Sequence, residues 1–145
     1  VPVYGDGLNV RDWIHVVDHA RALDLLLHKG VPGEVYNIGV DNERNNLEIT
    51  KMILKLMNLG EDRIEYITDR PGHDRRYAID ASKITALGWS PEYNKEKFEQ
   101  GLQETIQWYL NNQPWVENLY QKKKDEMNKF QNDLQRSQEK MKSST

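Results

Sequence analysis

Apolar and polar positions along this chain follow two rhythms, and the changes from one to the other mark its elements. Val1 to Tyr4 and Ile64 to Thr68 are short strand-like runs, and Arg11 to Val16 carries the Trp, Ile, His and Val that favour a pleated surface. Gly5-Asp6-Gly7 reads as a turn, because Gly supplies positive φ and Asp bonds locally. Asp18 is the expected N-cap of a helix to about His28, with Ala22, Leu25 and Leu26 on one face and Lys29-Gly30 as a basic, left-handed end. Glu34 to Gly39 reads as a short buried strand. Asn46 is the expected cap of a helix from Leu47 to Leu59, in which Leu47, Ile49, Ile53, Leu56 and Met57 approximate the 3.6-residue period. Asp80 caps a brief helix ending near Leu87-Gly88, and a longer helix from about Lys95 to Leu110 carries Phe98, Leu102, Ile106, Tyr109 and Leu110 on one side. Strands and helices alternate, which predicts an α/β arrangement.

Past Pro114 the pattern changes. Tyr120, Met127, Leu134 and Met141 recur every seven residues with Phe130 between them, but Lys123 and Ser137 occupy the other seam positions. Residues 117–145 therefore read as a charged helical or frayed tail, not a coiled coil. The chain opens in strand-like material without an initiator Met, which reads as a fragment.

Composition narrows the classes of partner. Of the 145 residues, 20 are Lys or Arg and 23 are Asp or Glu, for a net charge of −3. No long-range field favours nucleic acid or an acidic membrane, so an anion must be held by a few basic groups gathered locally. Without cysteine there are no disulfides and no thiolate metal sites, which suits a reducing cytoplasmic setting. No apolar run approaches the ~20 residues needed to cross a bilayer, and no metal-ligand spacing is present.

Four sites carry candidate chemistry. Tyr4 and Arg11 flank the Gly5-Asp6-Gly7 turn, Asn46 opens a helix, and Arg70 and His73 lie in a Pro-Gly loop. An anionic ligand with an aromatic base suits that set. Arg presents a planar fork of donors matched to phosphate, and a helix N-terminus offers unpaired N–H groups and partial positive charge. Hydrogen bonds to charged groups contribute ~1.5–3 kcal/mol each, enough for two arginines and a helix end to hold a diphosphate. Tyr4 offers a ring or hydroxyl to a base or sugar, Pro2 an apolar wall, and His73 a donor to ribose or phosphate. Bland alternatives exist for each: an Arg11–Asp12 surface pair, a mere helix cap at Asn46, a half-buried strand tyrosine, an ordinary surface histidine, and a solvated charge run from Asp69 to Arg76.

The order of motifs resembles the sugar-nucleotide branch of the extended short-chain dehydrogenase/reductases. Val1-Pro2-Val3-Tyr4-Gly5-Asp6-Gly7, Arg11-Asp12-Trp13-Ile14-His15-Val16 and Tyr36-Asn37-Ile38-Gly39 follow one another as in that family. The segment from Arg70 to Asp80 is most similar to the dTDP-glucose 4,6-dehydratases. The resemblance covers residues 1–116 and implies the C-terminal substrate-binding lobe: a small sheet with packed helices, the N-terminal Rossmann portion absent. Residues 34–39 would then join the missing Rossmann sheet. The resemblance implies that Pro2 and Tyr4 meet thymine, that Arg11 and Asn46 contact the diphosphate, and that Arg70 and His73 contact phosphate or ribose. It further implies a cytoplasmic, homodimeric parent enzyme that uses NAD to oxidise dTDP-glucose at C4, loses water across C5–C6 and returns the hydride at C6.

No catalytic or NAD-binding group is expected in this chain. Tyr93…Lys97 and Tyr120…Lys124 mimic the family's Tyr-x-x-x-Lys pair but lack its upstream partners. Alternatives are the lobe of a related UDP- or GDP-sugar dehydratase, decarboxylase or epimerase, or a non-catalytic interaction domain.

Overall fold

A computed structural model describes residues 1–127. Residues Val1–Ile106 form one unit, and a second begins at Gln107. The first holds two small two-stranded sheets. Strand β1 (Pro2–Tyr4) pairs in parallel with β4 (Glu65–Ile67), Val3 opposite Tyr66. Strand β2 (Val10–Asp12) pairs antiparallel with β3 (Glu43–Asn45), Arg11 opposite Arg44. The other edge of β2 is taken by the basic loop: Val10 N–H donates to Arg75 O at 2.8 Å and Val10 O accepts from Tyr77 N–H at 3.1 Å. That contact lays the 69–77 segment against β2.

Helix α1 (Val16–Lys29) is capped by His15, whose Nδ1 accepts from Val17 N–H at 3.3 Å, and not by Asp18. Asp18 instead lies inside the helix, fully buried, and accepts from the backbone N–H groups of Glu92 and Tyr93, both at 2.8 Å. A carboxylate can be buried there because those two bonds satisfy it, and they tie α1 to the chain near residue 92. Gly30 closes α1 without left-handed geometry, at φ −67°. Its glycine serves close approach, since a Cβ would come within 2.5 Å of Leu26 O.

Helix α2 (Asn46–Leu56) starts one residue earlier than the sequence suggests, with Asn45 as cap accepting from Glu48 N–H at 2.7 Å. It buries Ile49 and Leu54, while Met57 lies beyond its end and is exposed. A 3₁₀ turn (Glu61–Arg63) leads into β4, and Asp80 accepts from Ser82 N–H at the start of the brief α3 (Ser82–Thr85). Helix α4 (Phe98–Asn111) buries Gly101, where Tyr93 packs so closely that a Cβ would meet its ring at 2.7 Å.

The main core gathers Ala22, Val40, Ile84 and Trp89, with Ile14, Leu25, Leu26, Tyr36, Ile38 and Ala81 against it. The expected strand from Glu34 to Gly39 forms no ladder here, because no described strand lies beside it. Extension past Asp12 also ends early. The Asp12 carboxylate accepts from Val40 and Asn42 N–H, each at 2.9 Å, and Trp13 N–H turns to Asn42 O. Val16, Leu27 and Val35 are more than two-thirds exposed, so part of α1 and the 34–39 run presents apolar surface. No described helix is long and apolar enough to cross a membrane.

In the second unit the chain is helical again from 113 to 127, and Trp108 and Trp115 meet edge to face with centroids 5.3 Å apart. The seven-residue pattern beyond Met127 lies outside the described residues.

Candidate functional site

Strand alternation puts Pro2 and Tyr4 on one face of β1, away from the buried Val3. The turn after it is demanding. Gly5 and Gly7 both have positive φ, and a Cβ on Gly7 would strike Val3 Cγ1 at 2.7 Å. That packing returns the chain into β2, where Arg11 projects toward the loop laid along the strand.

Arg11 is held by four contacts. Its guanidinium donates to Val10 O at 2.6 Å and Asp74 O at 3.0 Å, contacts His73 Nε2 at 3.1 Å, and stacks 4.3 Å over the Tyr77 ring. His73 in turn sets its Nδ1 2.6 Å from Asp69 Oδ1, and its ring lies edge-on to Tyr4 at 6.2 Å. Arg70 stands over Tyr4, 5.5 Å from the ring centroid. Tyr4, Arg11, Arg70 and His73 therefore form one connected cluster, with Pro2 on the adjoining strand face.

Charge within the cluster is unevenly paired. Arg75 makes a two-pronged bond to Asp6 at 2.7 and 3.0 Å, and Arg76 another to Glu43 at 2.6 and 2.8 Å. The Arg75 guanidinium, with Leu8 N–H, holds the Asp6 carboxyl down to about 2. Arg11 and Arg70 have no carboxylate within ion-pair distance among the described residues. The surface-pair alternative for Arg11 also fails on geometry, since both oxygens of Asp12 are committed to Val40 and Asn42. Two cations thus stand in the cluster without a direct ion pair.

Asn46 is placed differently from the expectation. It is the first residue of α2, and the helix's leading N–H groups are already used. Asn46 N–H donates to Asn9 O at 3.1 Å, Leu47 N–H to Gly7 O at 2.9 Å, and Glu48 N–H to the Asn45 side chain. This helix end therefore offers none of those three donors to a phosphate, and any contact from Asn46 comes through its side-chain amide.

Three supporting residues were missed in the sequence: Asp69, Asp74 and Tyr77. The Tyr77 hydroxyl donates to the Asp74 carboxylate, which pushes its titration up. Asp69 is held below the usual carboxylate range, first by the His73 hydrogen bond. An Asp four residues before a His across a Pro-Gly turn was the one available signal.

Neither Tyr-x-x-x-Lys look-alike is poised for catalysis. The Tyr93 hydroxyl donates to Glu104 and is pushed up to about 12, opposite to what an activated phenol needs. Tyr120 is largely exposed. The Gly5–Gly7 turn also does not fit a dinucleotide pyrophosphate. It leads to a strand instead of a helix, and Val3 and Leu47 fill the space beside Gly7. No group of three or more His, Asp or Glu that could hold a metal occurs among the described residues.

Comparison with known proteins places these features in a family. The family model for GDP-mannose 4,6 dehydratase matches residues 1–105. A dTDP-glucose 4,6-dehydratase of Xanthomonas campestris pv. campestris is 50% identical over 129 residues, covering 82% of this chain and 36% of that protein. The crystal structure of dTDP-glucose 4,6-dehydratase from Bacillus anthracis in complex with NAD is 56% identical with a TM-score of 0.71, over 79% of this chain and 35% of that one. That from Streptomyces venezuelae, with NAD and TYD bound, is 40% identical with a TM-score of 0.74 over the same shares. The chain spans about a third of the length of the curated relatives it matches. Its mixed α/β fold is that of a part of the extended short-chain dehydrogenase/reductases. All four strands and the basic loop fall inside the match, and the chain belongs to the GDP-mannose 4,6 dehydratase family.

Proposed function

We propose that this chain holds the nucleoside diphosphate of a dTDP-sugar, as the substrate-binding lobe of a dTDP-glucose 4,6-dehydratase. The observation that carries the reading is the contrast among the arginines: Arg75 and Arg76 are neutralised by carboxylates, whereas Arg11 and Arg70 face one surface without them. Arg11 takes the diphosphate, with Arg70 and His73 beside it. Pro2 and Tyr4 give the base an apolar wall, and the Asn46 amide contributes from the start of α2.

In the whole protein, a cytoplasmic homodimer, the reaction converts dTDP-glucose to the 4-keto-6-deoxy sugar and water. Its catalytic and NAD-binding groups come from outside the described residues, and Glu34–Gly39 adds a strand to the cofactor-binding sheet that carries them. The exposed Val16, Leu27 and Val35 support such a covering partner. Calorimetric titration of the chain with dTDP-glucose and UDP-glucose tests the reading. Preference for the thymidine ligand, weakened at least tenfold by Arg11→Gln, is expected. Equal affinity for the two would favour a lobe of broader base specificity, and absence of binding to either would overturn the site.

A further inference from the structure

The state of the His73 ring follows from its neighbours. Arginine has donors and no acceptor, so the 3.1 Å contact from Arg11 makes His73 Nε2 an acceptor. Nδ1 faces an ionised carboxylate at 2.6 Å, so Nδ1 carries the proton. Asp69 is itself fixed in place. Its Oδ1 also accepts from Arg70 N–H at 2.8 Å, and its Oδ2 lies 2.9 Å from where a Gly5 Cβ would stand. With both nitrogens committed, the neutral ring has no hydrogen left for a ligand. It donates through Nε2 only after gaining a proton.

We propose that an anionic ligand is bound beside Arg11 with uptake of one proton at His73 Nε2, an inference that rests on the diphosphate-binding reading above. The proton comes from solvent or buffer and adds to the Nε2 lone pair. The Arg11–His73 hydrogen bond breaks, Arg11 and the new imidazolium each donate to a phosphate oxygen, and no bond between heavier atoms changes.

The surroundings explain why uptake accompanies binding. Asp69, on the same loop, favours the added charge. Arg11 from β2 and Arg70 from the loop oppose it until a negative ligand arrives. Tyr4 from β1 offers its ring, Tyr77 stacks under Arg11 with its hydroxyl on the Asp74 carboxylate, and Asp6 and Arg75 neutralise each other.

Titration calorimetry with dTDP-glucose, whose doubly esterified diphosphate does not titrate near neutrality, reads the proton directly. At pH 8, two buffers of very different ionisation enthalpy should give binding heats that differ by close to one proton's worth. Affinity should fall as pH rises, by no more than about tenfold per pH unit, the ceiling for uptake of one proton. His73→Gln should bind more weakly and lose the buffer and pH dependence. Binding with equal heats in both buffers overturns proton uptake and leaves the diphosphate reading standing, whereas no binding at all overturns both. Nitrogen-15 NMR of the ligand-free chain adds an independent arm: a neutral His73 protonated on Nδ1 is expected, and a ring protonated on Nε2 sinks the inference whether or not ligand binds.

Discussion

Removing the Asp18 carboxylate should cost this chain a large part of its stability. Asp18 is fully buried and accepts two backbone hydrogen bonds, from Glu92 and Tyr93 at 2.8 Å each, with Arg21 at 3.4 Å. A hydrogen bond to a charged group contributes about 1.5–3 kcal/mol, and Asp18→Ala also strands two buried donors. The loss is therefore about 3–6 kcal/mol, against a total of about 5–15 kcal/mol for a domain of ordinary stability. Asp18→Asn keeps the shape but turns one acceptor into a donor facing an N–H, and should cost about half as much. Urea unfolding followed by tryptophan fluorescence suits the test, because Trp89 sits in the same core. With a slope of ~2 kcal/mol per molar, the midpoint of Asp18→Ala should fall by roughly 1.5–3 M. A shift below ~0.5 M would show that the two backbone bonds do not tie α1 to the chain before α4.

Neighbouring asparagines should separate stability from binding: Asn45→Ala should lose about 0.5–2 kcal/mol of stability as a missing cap, while Asn46→Ala should unfold like the parent yet bind dTDP-glucose more weakly. Denaturant midpoints and calorimetry on both variants check this. Gly7→Ala should destabilise by about 1–3 kcal/mol, since φ is +71° and Val3 occupies the methyl's place; an unchanged midpoint would refute it. Asp6 is depressed from 3.8 to about 2 in the folded chain, so its stabilising contribution is complete above the unfolded value and is lost as pH falls from about 4 through 2. Asp6→Asn should flatten the acid limb of a stability–pH profile, and an unaltered limb would count against the Arg75 pairing.

Local pattern carried much of the fold, and non-local bonding decided what it missed. The runs at Val1–Tyr4 and Ile64–Thr68 were legible from their residues, but that they pair with each other depends on sixty intervening positions. Asp18 looked like a cap because caps are local; its true partners are more than seventy residues away. Asn45 was legible in principle. It precedes Glu48 by three, the spacing of a capping box, yet the adjacent Asn46 drew the assignment. Glu34–Gly39 has strand composition but no described neighbour, and composition does not supply one. The basic residues of the site were visible as types, while the sorting of Arg11 and Arg70 from the paired Arg75 and Arg76 required the positions of Asp6 and Glu43.

Pairing β1 with β4 has a consequence for the order in which this surface comes into being. Tyr4 and Arg11 meet Arg70 and His73 across sequence separations above sixty, and closing so long a loop costs entropy before any contact repays it. During synthesis the first sixty residues hold all of α1 and α2, whose helical bonds are local, yet they contain no binding surface. The cluster exists only once the chain through Tyr77 has emerged and returned along β2, so lesions in that returning segment should appear as slow acquisition of binding in a chain whose helices are already formed.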